Sequence, residues 1–123
     1  MKLLDSLYSV ISEYSCETGH EYVIKLDPEH FIYKAHFPGE PITPGVCIMQ
    51  IAVELFEKVL GASLALECVK NIKFLQIISP KDVTEVKYAF NKIVREDSEI
   101  KMQVTVSDAD NTYAKLSLVC REL

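Results

Sequence analysis

The chain has 123 residues, of which 49% are hydrophobic and 25% charged, and its formal net charge is −5 at pH 7. This length and composition fit one domain, residues 1–123, with an apolar core, and they disfavour a disordered chain. Nucleic-acid binding needs clustered Lys and Arg, which an acidic chain of pI about 5.2 does not favour. Since no apolar run approaches the length of a membrane span and no cleavable leader is evident, we expect no membrane insertion and a cytoplasmic location.

The first elements in chain order are a short helix and two short strands. Apolar residues at helical spacing predict an amphipathic helix near the N-terminus, and its buried side comprises Leu3, Leu4, Leu7, Tyr8 and Ile11. Residues 21–26 and 31–34 are predicted strands, separated by the turn residues Asp27 and Pro28. His20 and His30 are interpreted as surface or loop residues. A loop rich in Pro and Gly follows over residues 37–43.

Residues 44–60 form the longest apolar segment and predict one helix. Thr43 is a plausible N-cap, Pro44 suits the first helical position and Gly61 suits the C′ position. From residue 46 to residue 53 only Gln50 is polar, so we expect the helix to be buried on nearly all sides. A narrow polar stripe, in which Glu54 and Lys58 are an ordinary i,i+4 pair, comprises Gln50, Glu54, Glu57 and Lys58.

The second half of the chain predicts β-strands joined by short links. Strands are expected over residues 68–78, 83–94, 100–106 and 113–121, with a turn over residues 108–111. Short links indicate an antiparallel meander. A long helix against such a sheet is an α+β architecture.

The four cysteines are scattered along the chain, without a CxxC pair or a histidine at ligand spacing. Cys47, Cys68 and Cys120 have apolar sequence neighbours, and Cys16 is the fourth. We expect reduced cysteines rather than a disulfide framework or a zinc site. Cys47 lies near the predicted helix start, where a thiol pKa can fall, but a core position is the favoured interpretation.

The segment from His36 to Val46, HFPGEPITPGV, carries the chemistry. It places a histidine on a loop stiffened by proline, just before a helix N-terminus. The N–H groups at such a terminus are unpaired donors that favour a developing oxyanion, and Gly45 allows a ligand to approach its N–H closely. A base and an oxyanion donor together are half of an enolate-forming site. The structural alternative is that Pro44 and Gly45 only start a helix and that His36 is a structural residue.

The pattern HFPGxPxxPG followed by an apolar helix resembles the 3-hydroxyacyl-ACP dehydratases of the FabZ/FabA type. Residues 29–35, Lys73-Phe74 and the turn at residues 79–82 are also similar to that family, although Ala35 and Lys81 replace its usual glycines. The resemblance implies a hot-dog fold, in which the sheet wraps the central helix, and a dimer with tunnel sites at its interface. It implies that His36 is the base on the substrate α-carbon and that the Gly45 N–H binds the thioester carbonyl oxygen. The residues expected to line the substrate site are Phe37, Pro38, Gly39, Pro44, Val46 and Glu54.

Position 50 departs from this family. Its members carry Glu or Asp there, on the partner's helix, to help the 3-hydroxyl leave, and Gln one turn later; this chain has Gln50 and Glu54. A carboxamide cannot supply a proton. We expect Gln50 to line the tunnel as the third catalytic candidate and Glu54 to be an ordinary stripe residue, since a shift of about 6 Å along a helix would also move the substrate.

The sequence therefore predicts a dehydratase, or the reverse hydratase, that needs no metal or redox cofactor and forms a homodimer or higher oligomer. Acyl carrier protein is the expected carrier, although Leu75 and Gln76 replace the family's arginines and leave Lys70, Lys73 and Lys81 as docking candidates. A coenzyme A thioester is the alternative substrate. Two other hypotheses are a non-catalytic subunit that binds acyl chains or supports an active partner, and, less favoured, a thioesterase that uses Glu54.

Overall fold

A computed structural model describes residues 2–35 and 39–123 of the chain. In these residues two helices and six strands follow one another in the order β1, β2, α1, α2, β3, β4, β5, β6. Their bounds are β1 Tyr8–Cys16, β2 Gly19–Leu26, α1 Phe31–Ala35, α2 Gly45–Leu60, β3 Leu64–Phe74, β4 Glu85–Glu96, β5 Glu99–Ser107 and β6 Thr112–Glu122. The predicted α+β class is confirmed.

The strands form one antiparallel sheet in the order β1-β2-β4-β5-β6-β3. The predicted meander is the run β4-β5-β6, whose neighbours are joined by short turns. The strand β3 lies at the free edge opposite β1, and its pairing with β6 is interrupted by irregularities at Leu66/Cys68 and Val69/Asn71. Bulges of this kind bend a strand and increase its local twist.

The core lies between α2 and the apolar face of the sheet. Along β5 the buried residues alternate with more exposed ones, as the period-two pattern predicts. Two contacts fix α2 against β4: the ring centroids of Phe56 and Phe90 lie 5.5 Å apart, and the Tyr88 hydroxyl donates to the Ile48 carbonyl at 3.1 Å. No helix in the described part of the chain is long and apolar enough to cross a membrane.

The ends of α2 agree with the prediction on one side only. Gly61 follows the helix in the left-handed conformation (φ 69°), and its N–H donates to the Glu57 carbonyl, as expected of a C′ glycine. The predicted N-cap is wrong: the extended Pro44 occupies that position without a side-chain cap. The Thr43 hydroxyl instead hydrogen-bonds the Tyr33 hydroxyl at 3.0 Å.

Two other predicted elements are wrong. Residues near the N-terminus form a turn followed by the edge strand β1, not a helix; Leu3, Leu7 and Tyr8 are nevertheless buried, while Ile11 is exposed. Phe31–Ala35 is a short helix rather than a strand. Its start is fixed by His30, because the His30 Nδ1 accepts the Ile32 N–H at 3.1 Å.

The cysteine predictions hold in part. All four cysteines are free thiols, and Cys47 and Cys120 are buried. Cys68, which was expected in apolar surroundings, is exposed on β3, as is Cys16 on β1. Burial raises the pKa of the Cys47 thiol, which is therefore not an activated thiolate.

Candidate functional site

The loop that leads into α2 is anchored from two directions. The Thr43 N–H donates to the Ile78 carbonyl at 2.8 Å, and the Thr43 hydroxyl meets Tyr33 of α1. The Lys81 ammonium, one of the departures from the family pattern, donates to the Gly39 carbonyl at 3.3 Å. These bonds connect the loop to α1 and to the segment after β3, so the start of α2 has a defined position.

Three residues of the predicted site, His36, Phe37 and Pro38, lie outside the described residues. The roles predicted for them stay predictions. Gly39 is exposed and has a φ of 92°, a conformation that favours glycine. Replacing Gly39 with any residue that carries a side chain would therefore strain the loop.

Gly45 is the first residue of α2 and lies under an aromatic ring. A Cβ atom at position 45 would be 2.7 Å from Cζ of Phe74, so a larger residue there would require this ring to move. The first-turn N–H groups of a helix lack intrahelical acceptors, and the first turn of α2 contains no acidic residue. The terminus therefore favours a negative charge, as an oxyanion site requires.

An exposed apolar surface surrounds this terminus. Val46 is 60% exposed, although we expected this part of α2 to be buried on nearly all sides. Phe74, at the end of β3, is 50% exposed, and Leu75 and Ile77 behind it are 52% and 64% exposed. Isolated apolar residues on a surface need no explanation, but exposed apolar residues at the helix start and in the adjoining segment after β3 are a candidate contact surface for an acyl chain or a second chain. The sequence did not single out Phe74.

Gln50 and Glu54 are in direct contact on α2. The Gln50 Nε2 donates to Glu54 Oε2 at 2.8 Å, and Glu54 is only 3% exposed. The N–H of Leu3 donates to the same oxygen at 2.8 Å. Glu54 Oε1 accepts the N–H of Leu4 at 2.8 Å and the hydroxyl of Tyr8 at 3.0 Å. Burial, followed by the neighbouring charge of Glu54, raises the pKa of the Tyr8 hydroxyl, which stays a donor.

Glu54 is therefore not the ordinary stripe residue that the sequence predicts. It is buried, and within the described residues it forms no ion pair with the exposed Lys58. Its four donors occupy both oxygens and hold the N-terminal segment against α2. A carboxylate so occupied is poorly placed to activate water, which weighs against the thioesterase hypothesis. This role was invisible in the sequence, because three of the four donors come from residues about 50 positions away.

The pair formed by Ser6 and His30 has its hydrogen bond in the wrong direction for catalysis. The Ser6 hydroxyl lies 2.8 Å from His30 Nε2, which suggests a nucleophile with its base. However, His30 Nδ1 already accepts the Ile32 N–H, so the neutral ring carries its proton on Nε2 and donates to Ser6. His30 lies in the loop before α1, which agrees with its interpretation as a surface or loop residue, but it is buried and caps α1. In the part of the chain that the structure describes, no cluster of His, Cys, Asp and Glu has the composition of a metal site.

Comparison with known proteins finds a matching family and several proteins with similar sequences. The ApeI-like family, described as ApeI dehydratase, matches residues 12–117. The 3-hydroxyacyl-[acyl-carrier-protein] dehydratase FabZ of Latilactobacillus sakei is 26% identical over 72% of this chain and 68% of its own length. FabZ of Clostridium acetobutylicum is 32% identical over 50% of this chain and 49% of its own length, and FabZ of Rickettsia conorii is 25% identical over 81% and 83%. The chain thus spans between about half and four fifths of these relatives.

Solved structures establish the fold. The dehydratase heterocomplex ApeI:P from Xenorhabdus doucetiae superposes with a TM-score of 0.71 at 18% identity, covering 91% of this chain and 96% of that one. A thioesterase from Haemophilus influenzae gives a TM-score of 0.66 at 12% identity, covering 97% and 80%. At these identities the likeness shows the fold alone, and it confirms the hot-dog fold. Because the family match covers most of the sequence and the fold agrees with it, the chain belongs to the ApeI-like dehydratase family.

Proposed function

We propose that this chain catalyses the dehydration of 3-hydroxyacyl thioesters to trans-2-enoyl thioesters, or the reverse hydration. The observation that carries the proposal is the start of α2. There Gly45 opens a helix without first-turn acids, next to an exposed apolar surface and directly after the histidine-bearing loop. Membership of a dehydratase family and the FabZ relatives support the same reaction.

In this reaction His36 removes the α-proton of the thioester, and the electrons form the enolate. The Gly45 N–H stabilises the carbonyl oxygen as it gains negative charge. The enolate then re-forms the carbonyl and expels the 3-hydroxyl, which needs a proton to leave as water. Since Gln50 cannot supply that proton, the imidazolium of His36 is the proposed donor, and the base is then regenerated.

The carrier of the substrate is proposed to be acyl carrier protein, with coenzyme A as the alternative. Acyl carrier proteins are acidic, so they require basic residues near the tunnel mouth. Of the three lysines proposed from the sequence, Lys81 is bound to the Gly39 carbonyl beside the loop, and Lys73 lies directly opposite Lys115 in the β3–β6 register. Lys70 is exposed on the same edge strand. This distribution supports a basic surface along β3.

The assembly is proposed to be a homodimer in which the free edge of β3 pairs with that of a second copy. A free sheet edge presents unpaired backbone groups and is usually covered. We further propose that residues 1–123 form one domain that works in the cytoplasm.

A second candidate function is a subunit that supports an active partner. Two observations favour it: Gln50 lacks the proton that a carboxylic acid would supply, and the solved ApeI:P dehydratase is named a heterocomplex. In such an arrangement a different chain would contribute the acid across the interface. The apolar surface at Val46, Phe74, Leu75 and Ile77 would then contact that chain.

One assay separates the two candidates. The purified chain alone is given 3-hydroxyacyl and trans-2-enoyl thioesters of several lengths, carried by acyl carrier protein or coenzyme A, and the enoyl thioester is followed by its ultraviolet absorbance. The dehydratase proposal predicts turnover by the chain alone. No turnover on either carrier would overturn it and favour the supporting subunit.

A further inference from the structure

The face of the sheet that points away from α2 carries a groove of about 330 Å³. It crosses β3, β6, β5 and β4, and its lining includes Lys73, Lys92 and Lys115. The ring of Phe74 lies beside Gly45 of α2, and side chains alternate along a strand, so Lys73 points to the opposite face. The groove is therefore separate from the start of α2, and its volume is in the range of small-molecule sites.

The strand register brings polar side chains from four strands together in this groove. Lys73 of β3 lies directly opposite Lys115 of β6, which in turn lies opposite Thr105 of β5. The row two residues further along the strands comprises Asn71, Ser117, Gln103 and Asn91. The groove thus presents ammonium, amide and hydroxyl donors side by side.

Two bulges flank the groove. The pairing of β4 with β5 is interrupted between Asn91 and Val94, where Lys92 has a φ of 49°, in the left-handed region that few residues other than glycine adopt. On the other side, the pairing of β3 with β6 is interrupted between Val69 and Asn71. Bulges bend a strand and re-aim its side chains. The groove therefore lies between two bent strands, and one of the bends carries its third lysine.

The three lysines of the groove form no ion pair within the described residues, although the chain has 18 acidic residues against 13 Lys and Arg. Ion pairs elsewhere on the sheet are Arg121–Glu67, Arg95–Glu122, Lys101–Glu99 and Lys87–Glu21. Like charges directly opposite one another destabilise a sheet, so Lys73 and Lys115 cost stability unless an anion lies between them. No Asp or Glu is among the described residues that line the groove, and a cleft of one sign of charge concentrates ions of the other sign.

We propose that this groove binds the phosphate group of a small molecule. Lysine ammonium groups bind phosphate as point charges, and phosphate oxygens accept the further hydrogen bonds that hydroxyl and amide groups offer. The phosphate belongs either to a free phosphate compound or to coenzyme A, which share this chemistry. Acyl carrier protein, for which Lys73 is a docking candidate, is the alternative occupant. A concave groove of this size suits a small ligand, whereas a protein interface buries a much larger surface.

The test is a calorimetric titration of the purified chain with inorganic pyrophosphate, at an ionic strength held constant with sodium chloride. Lys115→Gln should raise the Kd about tenfold, the scale of a hydrogen bond to a charged group. Lys101→Gln is the matched control, because it removes the same charge from an exposed position of β5 outside the groove; it should change the Kd by less than about twofold. Equal effects of the two substitutions, or no binding by the wild type, would overturn the proposed site.

Thermal unfolding gives a second readout. In sodium chloride alone, Lys115→Gln should raise the Tm by about 1–4 °C, because it removes the like-charge pair with Lys73. Pyrophosphate should raise the Tm of the wild type and not that of the variant, because a ligand stabilises the folded state that binds it. A Tm that falls in Lys115→Gln without pyrophosphate would show that Lys115 serves stability rather than binding, and the proposed site would be wrong.

Titration with coenzyme A distinguishes the two sources of the phosphate. Tighter binding than that of pyrophosphate, with the same loss in Lys115→Gln, assigns the groove to coenzyme A, and weaker binding assigns it to a free phosphate compound. If Lys115→Gln leaves both Kd values unchanged and weakens only the binding of acyl carrier protein, the groove is a protein-docking surface and the proposal is wrong. None of these measurements requires turnover, so their outcome is independent of the proposed dehydratase function.

Discussion

Gln50→Glu should make the stability of this protein strongly dependent on pH. The substitution brings a second carboxyl group to within hydrogen-bonding distance of Glu54, at the place where Nε2 now lies 2.8 Å from Oε2. Two charges about 4 Å apart, at an effective dielectric constant of about 20, repel by about 4 kcal/mol. This repulsion makes the pair hold one proton more tightly than two separate glutamates would.

The sign of the effect follows from proton binding. In the folded variant the pair keeps one proton at pH values where the unfolded chain has already released it, so stability falls as pH rises through this window. Relative to wild type, the loss should be smaller at pH 5 and should approach the full repulsion of about 4 kcal/mol at pH 8. The substitution also restores a carboxyl group at position 50, so dehydration should accelerate even as stability falls.

Urea unfolding followed by circular dichroism, at pH 5 and pH 8, measures both losses. Gln103→Glu is the matched control, because it adds the same charge at an exposed position of β5 and should cost little at either pH. Equal losses at pH 5 and pH 8, or no loss at pH 8, would show that residues 50 and 54 are not in contact and would refute the reasoning.

Three further predictions concern the start of α2, the contact between Tyr8 and Glu54, and the cysteines. Gly45→Ala should destabilise the protein by about 1–3 kcal/mol through overpacking against Phe74, and Phe74→Ala should relieve most of that cost; additive losses in thermal unfolding would contradict the contact. Tyr8→Phe should cost about 1.5–3 kcal/mol, the value of a hydrogen bond to a charged group, and unchanged stability in urea would disprove the anchor. A thiol reagent should modify the two exposed cysteines, Cys16 and Cys68, quickly in the native protein and the other two only on unfolding; four equal rates would contradict the assigned burial.

Much of the fold could be predicted from the sequence, because its signals are local. The end of α2 follows from Gly61, and the strands of the meander follow from alternation such as that along β5. The N-terminal prediction was wrong for a physical reason. Leu3, Leu7 and Tyr8 have helical spacing, but a turn buries them, and the edge strand that follows is exposed on most positions and has no clear alternation.

The site was less predictable than the fold, since its key contacts are between distant parts of the chain. The HFPGEPITPGV segment indicated the family, and the role of Gly45 was predicted from it. Nothing local indicates that Glu54 is buried, because a carboxylate on an amphipathic helix is usually exposed. Its burial depends on donors from Leu3, Leu4 and Tyr8, and only the tertiary structure brings these to α2.

The central claim, that this chain is a dehydratase with His36 as its base, is tested most directly by His36→Ala in the purified 123-residue chain. The rate of hydration of a trans-2-enoyl thioester should fall by about 10²-fold to 10⁴-fold, the usual contribution of a general base. Circular dichroism should show that the variant is folded, so that the loss is chemical. A folded His36→Ala protein that hydrates the thioester at the wild-type rate would contradict the claim.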